Sequence, residues 1–379
     1  MDKLLSFRDH HLLTLLNDYE DQKLPLDLFV RNYFKSHSAL GSKDRGEIAE
    51  TLYALIRWQR LLDHLIGSEC GWPQRLICFR KGAWKASIED KSIPTAIRVS
   101  FPDELFEKLK ESHGEEKAIA IALASNEQAP TAVRANLLKT TREKLIEKWA
   151  PLYDVVPCEH SKSGIIFRKK IALFTLPEFK EGLFEVQDEA SQLVSQLVQV
   201  KPGDQVLDYC AGSGGKTLGF APHLQGKGQV FLHDVRPYVL LEAKKRLKRA
   251  GIQNAQVINA EADYLKKLKK KMDWVLVDAP CSGTGTLRRN PDMKWKYENA
   301  MLERLKSLQR VVFEKALSYL KPDGKIVYAT CSLLNEENEE QAAHFEKTYG
   351  LKRISDPFAS VPSLGQMDGF YGIVLEKLR

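Results

Sequence analysis

Two cysteines stand just past apolar, strand-like runs: Cys281 in "WVLVDAPCSGTGTLRRNPDMKW" and Cys331 in "KIVYATCSLLNEENEE". A thiolate is strongly nucleophilic and also able to leave, so a cysteine in such a loop suits covalent catalysis. Asp278 ends the run before Cys281 and offers a carboxyl to the same place. Position alone does not say which thiol attacks. Cys70, Cys78 and Cys158 read as small packed hydrophobes. The six cysteines include no CxxC pair and no close Cys/His cluster, so neither a metal site nor a disulfide framework is expected.

A glycine-rich turn, "DYCAGSGGKT", follows the apolar run that ends at Asp208. Glycines let a backbone approach a ligand closely. A Walker A loop has its "GKT" at Gly215–Thr217, but Cys210 stands where the first glycine belongs. A dinucleotide fingerprint starts at Gly212 and Gly214 but meets Thr217 at its third glycine. Asp234, at the end of the next run, is placed to accept both hydroxyls of a ribose. A ligand with adenosine and ribose but no phosphate fits best, and S-adenosylmethionine is the candidate. Cys210, Ala211, Gly212, Ser213, Gly214, Gly215 and Lys216 are expected to line it, with the backbone of Cys210 mattering more than its thiol.

These residues need a scaffold. "QVLDYCAG", "QVFLHDV", "AQVINAEA", "WVLVDAP" and "KIVYATCS" are β-rich runs, mostly separated by helix-like segments, and "FYGIVLEKL" offers a closing strand. The alternation implies an α/β domain over residues 188–379 with a mostly parallel, doubly wound sheet, whose ligands bind outside the carboxyl ends of the strands. Asp208, Asp234, Asp278 and Cys331 all fall at such ends. Residues 101–187 mix short strands and helices into a small α+β subdomain. Residues 1–100 read as all-α: Ile48, Leu52, Leu55, Ile56, Leu62 and Leu65 recur at spacings of three and four, Asp44 and Glu47 offer a capping box, and Gly67 a stop.

The chain has 379 residues and a net charge of +7, enough for two or three domains. Basic runs at Lys244–Arg249, Lys266–Lys271 and Arg168–Lys170, with Arg288, Arg289 and Lys294 after Cys281, suit a nucleic-acid backbone. No signal peptide and no run of about 18 apolar residues appears, so a cytoplasmic protein is expected.

The segments "NEQAPTAVRANLLKTTREKL", "VQDEASQLV", "DYCAGSGGKT", "HDV", "VDAPCSGTGTLRRNPDMKW" and "YATCSLLNEENEEQ" occur in the order of one family. The chain resembles the RsmB/Fmu (Sun) family of RNA cytosine-5 methyltransferases from about Phe101 onward. "SKDRGEIAETLYALIRWQRLLDHLI" is similar to the family's NusB-like helical domain. Ser213 stands where the family usually has proline, and "NAEAD" offers Glu261 or Asp263 as a third adenosine-side acid. The resemblance implies a Rossmann-like methyltransferase domain, S-adenosylmethionine as cofactor, Cys331 as nucleophile and Cys281 as assistant in breaking down the covalent intermediate. Asp278 would stabilise the activated pyrimidine, and Lys216 would pair with or orient it. Arg134, Asn136, Gln187 and Asp188 match positions that brace the catalytic domain.

The partner so implied is RNA, small-subunit (16S) ribosomal RNA first and tRNA second, with the cytosine drawn from its stack. Two further readings compete. One is an inactive RNA-binding ribosome assembly factor; the other is a P-loop nucleotidase with Asp278 as its second acid.

Overall fold

A computed structural model describes residues 6–378 apart from 21, 23, 68, 69 and 259–262. By packing, the chain forms two units, Met1–Gln128 with Thr286–Glu298, and Ala129–Gly285 with Asn299–Arg379.

In the first unit the helical periodicity is realised as α1 (Phe7–Tyr19), α2 (Leu26–Ser36), α3 (Ser42–Ile66), α4 (Trp72–Lys81) and a short α5 (Thr95–Arg98). Ile48, Leu52, Leu55, Ile56 and Leu62 are buried on one face of α3, whereas Leu65 is exposed. Gly67 stops α3 with a positive φ of 87°. The expected capping box does not form. The helix begins at Ser42 after Gly41 without a side-chain cap, and Asp44 and Glu47 instead pair with Arg8 of α1.

By packing, this unit extends past residue 100, to Gln128. Helices α6 (Asp103–His113) and α7 (Glu115–Ser125) belong to this unit, because Leu123 and the nearby Ile97 pack against its core. Residues 286–298 join them from far along the chain. Trp295 packs on that core and donates its indole N–H to the Ile56 carbonyl at 2.8 Å.

Lys294 is almost completely buried. Its ammonium donates to the carbonyls of Arg57 and Ser100 and to Asn126 Oδ1, each at 2.7 Å, and lies over the Phe101 ring. Arg288 is equally buried, and its carbonyl accepts from Arg57 Nη2 at 2.7 Å. The phosphate contacts expected of Arg288 and Lys294 are therefore corrected: both side chains are buried, and that of Lys294 lies inside the helical unit. Arg289 is only partly buried.

The second unit opens with the α+β subdomain. Strands β1 (Thr131–Ala135), β2 (Val155–Pro157), β3 (Gly164–Phe167) and β4 (Phe184–Val186) form an antiparallel sheet in the order β2-β3-β1-β4, with α8 (Arg142–Trp149) and α9 (Pro177–Lys180). Trp149, Phe167 and Phe184 form its aromatic core.

After α10 (Glu189–Gln196) come β5 (Gln205–Asp208), α11 (Thr217–Phe220), β6 (Gln229–His233), α12 (Pro237–Ala250), β7 (Ala255–Ile258), α13 (Asp263–Lys266) and β8 (Met272–Asp278). Then follow α14 (Asn299–Leu317), β9 (Leu320–Thr330), α15 (Glu339–Tyr349), β10 (Leu351–Arg353), β11 (Phe358–Ala359) and β12 (Tyr371–Lys377). The sheet runs β10-β12-β9-β8-β5-β6-β7, parallel from β9 to β7 and antiparallel at β12.

Successive strand residues face opposite sides. Val275 and Val277 of β8 join a core with Phe313 of α14 and Phe345 of α15, whereas Trp274 and Leu276 join Leu240 and Leu247 of α12. Both faces are covered, as a doubly wound sheet requires. Strand order reverses between β5 and β8, and a crevice at such a switch point is where ligands bind.

Candidate active site

The carboxyl ends of β5, β6, β8 and β9 bring the sequence candidates together. Asp208 ends β5 and accepts from Thr217 Oγ1 at 2.7 Å. Lys216 is buried and its ammonium reaches across to Asp278 Oδ2 at the end of β8. Burial alone would lower the Lys216 pKa, but the Asp278 carboxylate more than offsets it and holds it above the ordinary lysine value.

The two sulfurs of Cys281 and Cys331 lie 3.4 Å apart. The hydrogen bond to Cys331, together with burial, pushes the Cys281 thiol well above its usual range. Gly285 N–H donates to the Cys331 carbonyl at 2.8 Å, and the Gly369 N–H donates to the Gly285 carbonyl at 2.9 Å. A Cβ on Gly285 would stand 2.0 Å from the Gly369 carbonyl oxygen, so only glycine permits this approach. Phe370, beside it, packs with Cys331, and its ring centroid is 5.3 Å from Lys216 Nζ.

The glycine-rich loop turns with positive φ at Gly212 and Gly214. A side chain on Gly214 would press on Leu232 and Ala243, whereas the space beside Gly212 is open. Ser213 is restrained by polar contacts: its hydroxyl and carbonyl bind Arg246 Nη1 at 2.7 and 3.1 Å, and Arg246 is ion-paired with Glu185 of β4. Gly215 is braced too, its carbonyl accepting from Arg134 Nη1 and Gln187 Nε2, both at 3.3 Å. Desolvation brings the Arg134 pKa down to about 10. Asn136 donates to the Gly182 and Ala250 carbonyls, each at 2.8 Å, and Asp188 accepts from Asp368 N. The α+β subdomain thus holds the loop from behind.

Asp234 is buried and accepts from Gly212 N, Arg236 N and the Arg236 guanidinium at 2.9–3.1 Å. Burial raises its pKa, but these hydrogen bonds win and leave it below the usual carboxylate value. Cys210 and Ala211 lie on the same loop; burial pushes the Cys210 thiol out of the reactive range, and Ala211 N–H donates to the His233 carbonyl. Glu261 lies outside the described residues, as does the side chain of Asp263.

Asp208 was legible only as a strand end. Burial raises its carboxyl to about 7, and its Oδ1 has no partner among the described residues. The strand ends therefore offer the Asp234 carboxylate and an open space beside Gly212, while the orphaned Asp208 oxygen is itself buried. That set fits a ligand bringing hydroxyl or ammonium donors. It does not suit a triphosphate, because Lys216 is already paired with Asp278, Thr217 is bonded to Asp208, and α11 is a single turn.

Among the described residues no group of three or more His, Cys, Asp or Glu could hold a metal ion, and no helix is long and apolar enough to cross a membrane. Sequence reasoning also missed Glu337, which is buried behind both cysteine loops. It falls within the "YATCSLLNEENEEQ" segment that carries the family resemblance, which by itself assigns it no role.

A family model described as 16S rRNA methyltransferase RsmB/F matches residues 195–360, and the RsmF/B-like ferredoxin-like domain matches residues 101–173. A probable ribosomal RNA small subunit methyltransferase B of Synechocystis is 30% identical over 74% of this chain and 64% of its own length. Ribosomal RNA small subunit methyltransferase B of Vibrio cholerae is 34% identical over 74% of this chain and 66% of its own length. The matched stretch thus spans just under two thirds of these relatives. Among solved structures, PH0851 is similar over 97% of both chains with a TM-score of 0.79 at 23% identity. A methyltransferase homolog protein from Pyrococcus horikoshii covers 77% of this chain and 99% of its own, with a TM-score of 0.66 at 26% identity. The motif order, the paired sulfurs at the strand ends and these matches agree, and the chain belongs to the RsmB/F methyltransferase family.

Proposed function

We propose that this chain transfers a methyl group from S-adenosylmethionine to carbon 5 of a cytosine in RNA, with small-subunit ribosomal RNA as substrate. The observation that carries the reading is the thiol pair, sulfurs 3.4 Å apart, beside the Lys216–Asp278 ion pair. The names of the Synechocystis and Vibrio relatives favour ribosomal RNA.

Carbon 5 of cytosine is too poor a nucleophile to take a methyl group unaided. Addition of the Cys331 thiolate to carbon 6 makes carbon 5 an enamine carbon. Asp278 stabilises the activated pyrimidine at N3 and the 4-amino group, and Lys216 fixes the orientation of that carboxylate. Bound S-adenosylmethionine supplies an electrophilic methyl, held by the glycine-rich loop and by Asp234 at the ribose. A base then removes the proton from carbon 5, the sulfur–carbon bond breaks and its electron pair returns to Cys331. Cys281, kept protonated by its surroundings, assists this last step. A ribosomal RNA substrate would place the reaction in the cytoplasm.

The test incubates the protein with methyl-labelled S-adenosylmethionine and either 16S RNA or tRNA, then analyses the nucleosides. Label in 5-methylcytidine from the 16S arm is expected. Label confined to the tRNA arm would replace the substrate, and label in another nucleoside would overturn the chemistry.

Two substitutions sharpen the roles. Asp234→Ala removes a buried acceptor for the ribose, and calorimetry should show cofactor binding weakened by about 10- to 100-fold, the range of one or two charged hydrogen bonds. Lys216→Met leaves Asp278 without its cation, and the single-turnover methylation rate should fall by about 10²- to 10⁴-fold.

A further inference from the structure

Each cysteine is followed by a serine, and both serines bind one carboxylate. Glu337 Oε2 accepts from the hydroxyls of Ser282 and Ser332, and Oε1 accepts from Ser282 N at 2.9 Å and Gln309 Nε2 at 2.8 Å. Glu337 is fully buried, and among the described residues no cation pairs with it. A buried carboxylate held only by neutral donors is costly unless those bonds are all made. Here they are made, and they join three elements.

Gln309, on α14, also donates to the Pro280 carbonyl at 3.0 Å, next to Cys281. Tyr328 of β9 donates to the Glu337 carbonyl at 2.7 Å. Thr284 closes the cluster: its hydroxyl bonds Ser282 and Ser332 and accepts from Leu333 N at 2.8 Å.

We propose that Glu337 is a positioning residue for the thiol pair, tying the Cys281 and Cys331 loops together through the serine that follows each cysteine. It touches neither substrate nor cofactor. Its effect is the sulfur–sulfur distance, on which the division of labour between nucleophile and proton carrier depends. The inference rests on the proposed covalent mechanism for its meaning but not for its test.

The charge has a second consequence. Cys331, Glu337 and Tyr328 are the titratable groups that face Cys281, and the negative charge of Glu337 helps to keep its thiol protonated.

The test uses the full chain and dibromobimane, a reagent that fluoresces when it bridges two nearby thiols, with the bridged peptides identified by mass spectrometry. The wild type should bridge Cys281 to Cys331. Glu337→Ala should bridge at least tenfold more slowly, while a thermal melt verifies that it is folded. Glu337→Gln keeps the shape and part of the bonding, so its bridging should fall less.

A merely structural role would not move an ionisation. In a Cys331→Ala background, Glu337→Gln should shift the pH midpoint of Cys281 alkylation downward. Folded Glu337→Ala that bridges at the wild-type rate, or an unmoved midpoint in Glu337→Gln, would overturn the proposal. Bridging that depends on Glu337 in a protein whose Cys331→Ala variant still methylates RNA would remove Cys331 from the nucleophile's role and leave the positioning role standing.

Discussion

Purified from cells, Cys281→Ala is expected to run on a denaturing gel with RNA covalently attached, and Cys281→Ala/Cys331→Ala to run as free protein. The asymmetry between the thiols underlies this expectation. Cys281 is held protonated by its hydrogen bond to Cys331 and by burial, while Cys331 packs with Phe370, whose ring centroid is 5.3 Å from the Lys216 ammonium. A protonated thiol adds poorly to a pyrimidine, but it can supply what the leaving sulfur and its surroundings need during breakdown. Removing Cys281 should therefore leave addition intact and slow elimination by at least about 10²-fold, within the range of a lost general acid or base. Cys331→Ala should form no adduct and transfer no methyl group to cytosine. An adduct in Cys331→Ala, absent from Cys281→Ala, would reverse the roles. Sequencing the trapped RNA would also name the modified nucleotide.

What the sequence made legible was what one residue's neighbours in the chain determine. The apolar run of β8, the glycine turn after β5 and the acids at strand ends are local patterns, and all appear where the sequence places them. Contacts between distant segments were not legible. Asp44 and Glu47 have the spacing of a capping box, yet Arg8, some forty residues away, takes both carboxylates. Ser213 removes a proline's restraint on paper, and Arg246, more than thirty residues on, supplies another through two hydrogen bonds. Glu337 lies within the quoted "YATCSLLNEENEEQ" segment, but nothing there shows that the serines after two cysteines meet on it. Burial of a charge is decided by tertiary partners, and a list of residue types does not carry them.

Lys294 is the sharpest instance, and it makes a quantitative prediction. In sequence it stands in "RRNPDMKW" after Cys281, where a basic residue reads as a phosphate contact. In the structure its ammonium serves three oxygens inside the helical unit. Lys294→Met keeps the apolar stem and deletes the donor, which leaves the Arg57 and Ser100 carbonyls and Asn126 Oδ1 short of a partner. Buried acceptors left unsatisfied cost about 1–3 kcal/mol each where no water relieves them. Partial relaxation makes a total loss of about 2–4 kcal/mol the expected result in urea unfolding. RNA affinity measured on folded protein should keep its salt dependence, whereas loss of one phosphate contact would lower the log–log slope by about 1. The pH dependence has a definite sign as well. Desolvation holds the Lys294 pKa well below the ordinary 10.5, so between the two values the unfolded chain binds the extra proton and this group's contribution to stability rises with pH. A phosphate-facing lysine would show the opposite pair of results, a reduced salt slope and unchanged stability, and that outcome would return Lys294 to the RNA.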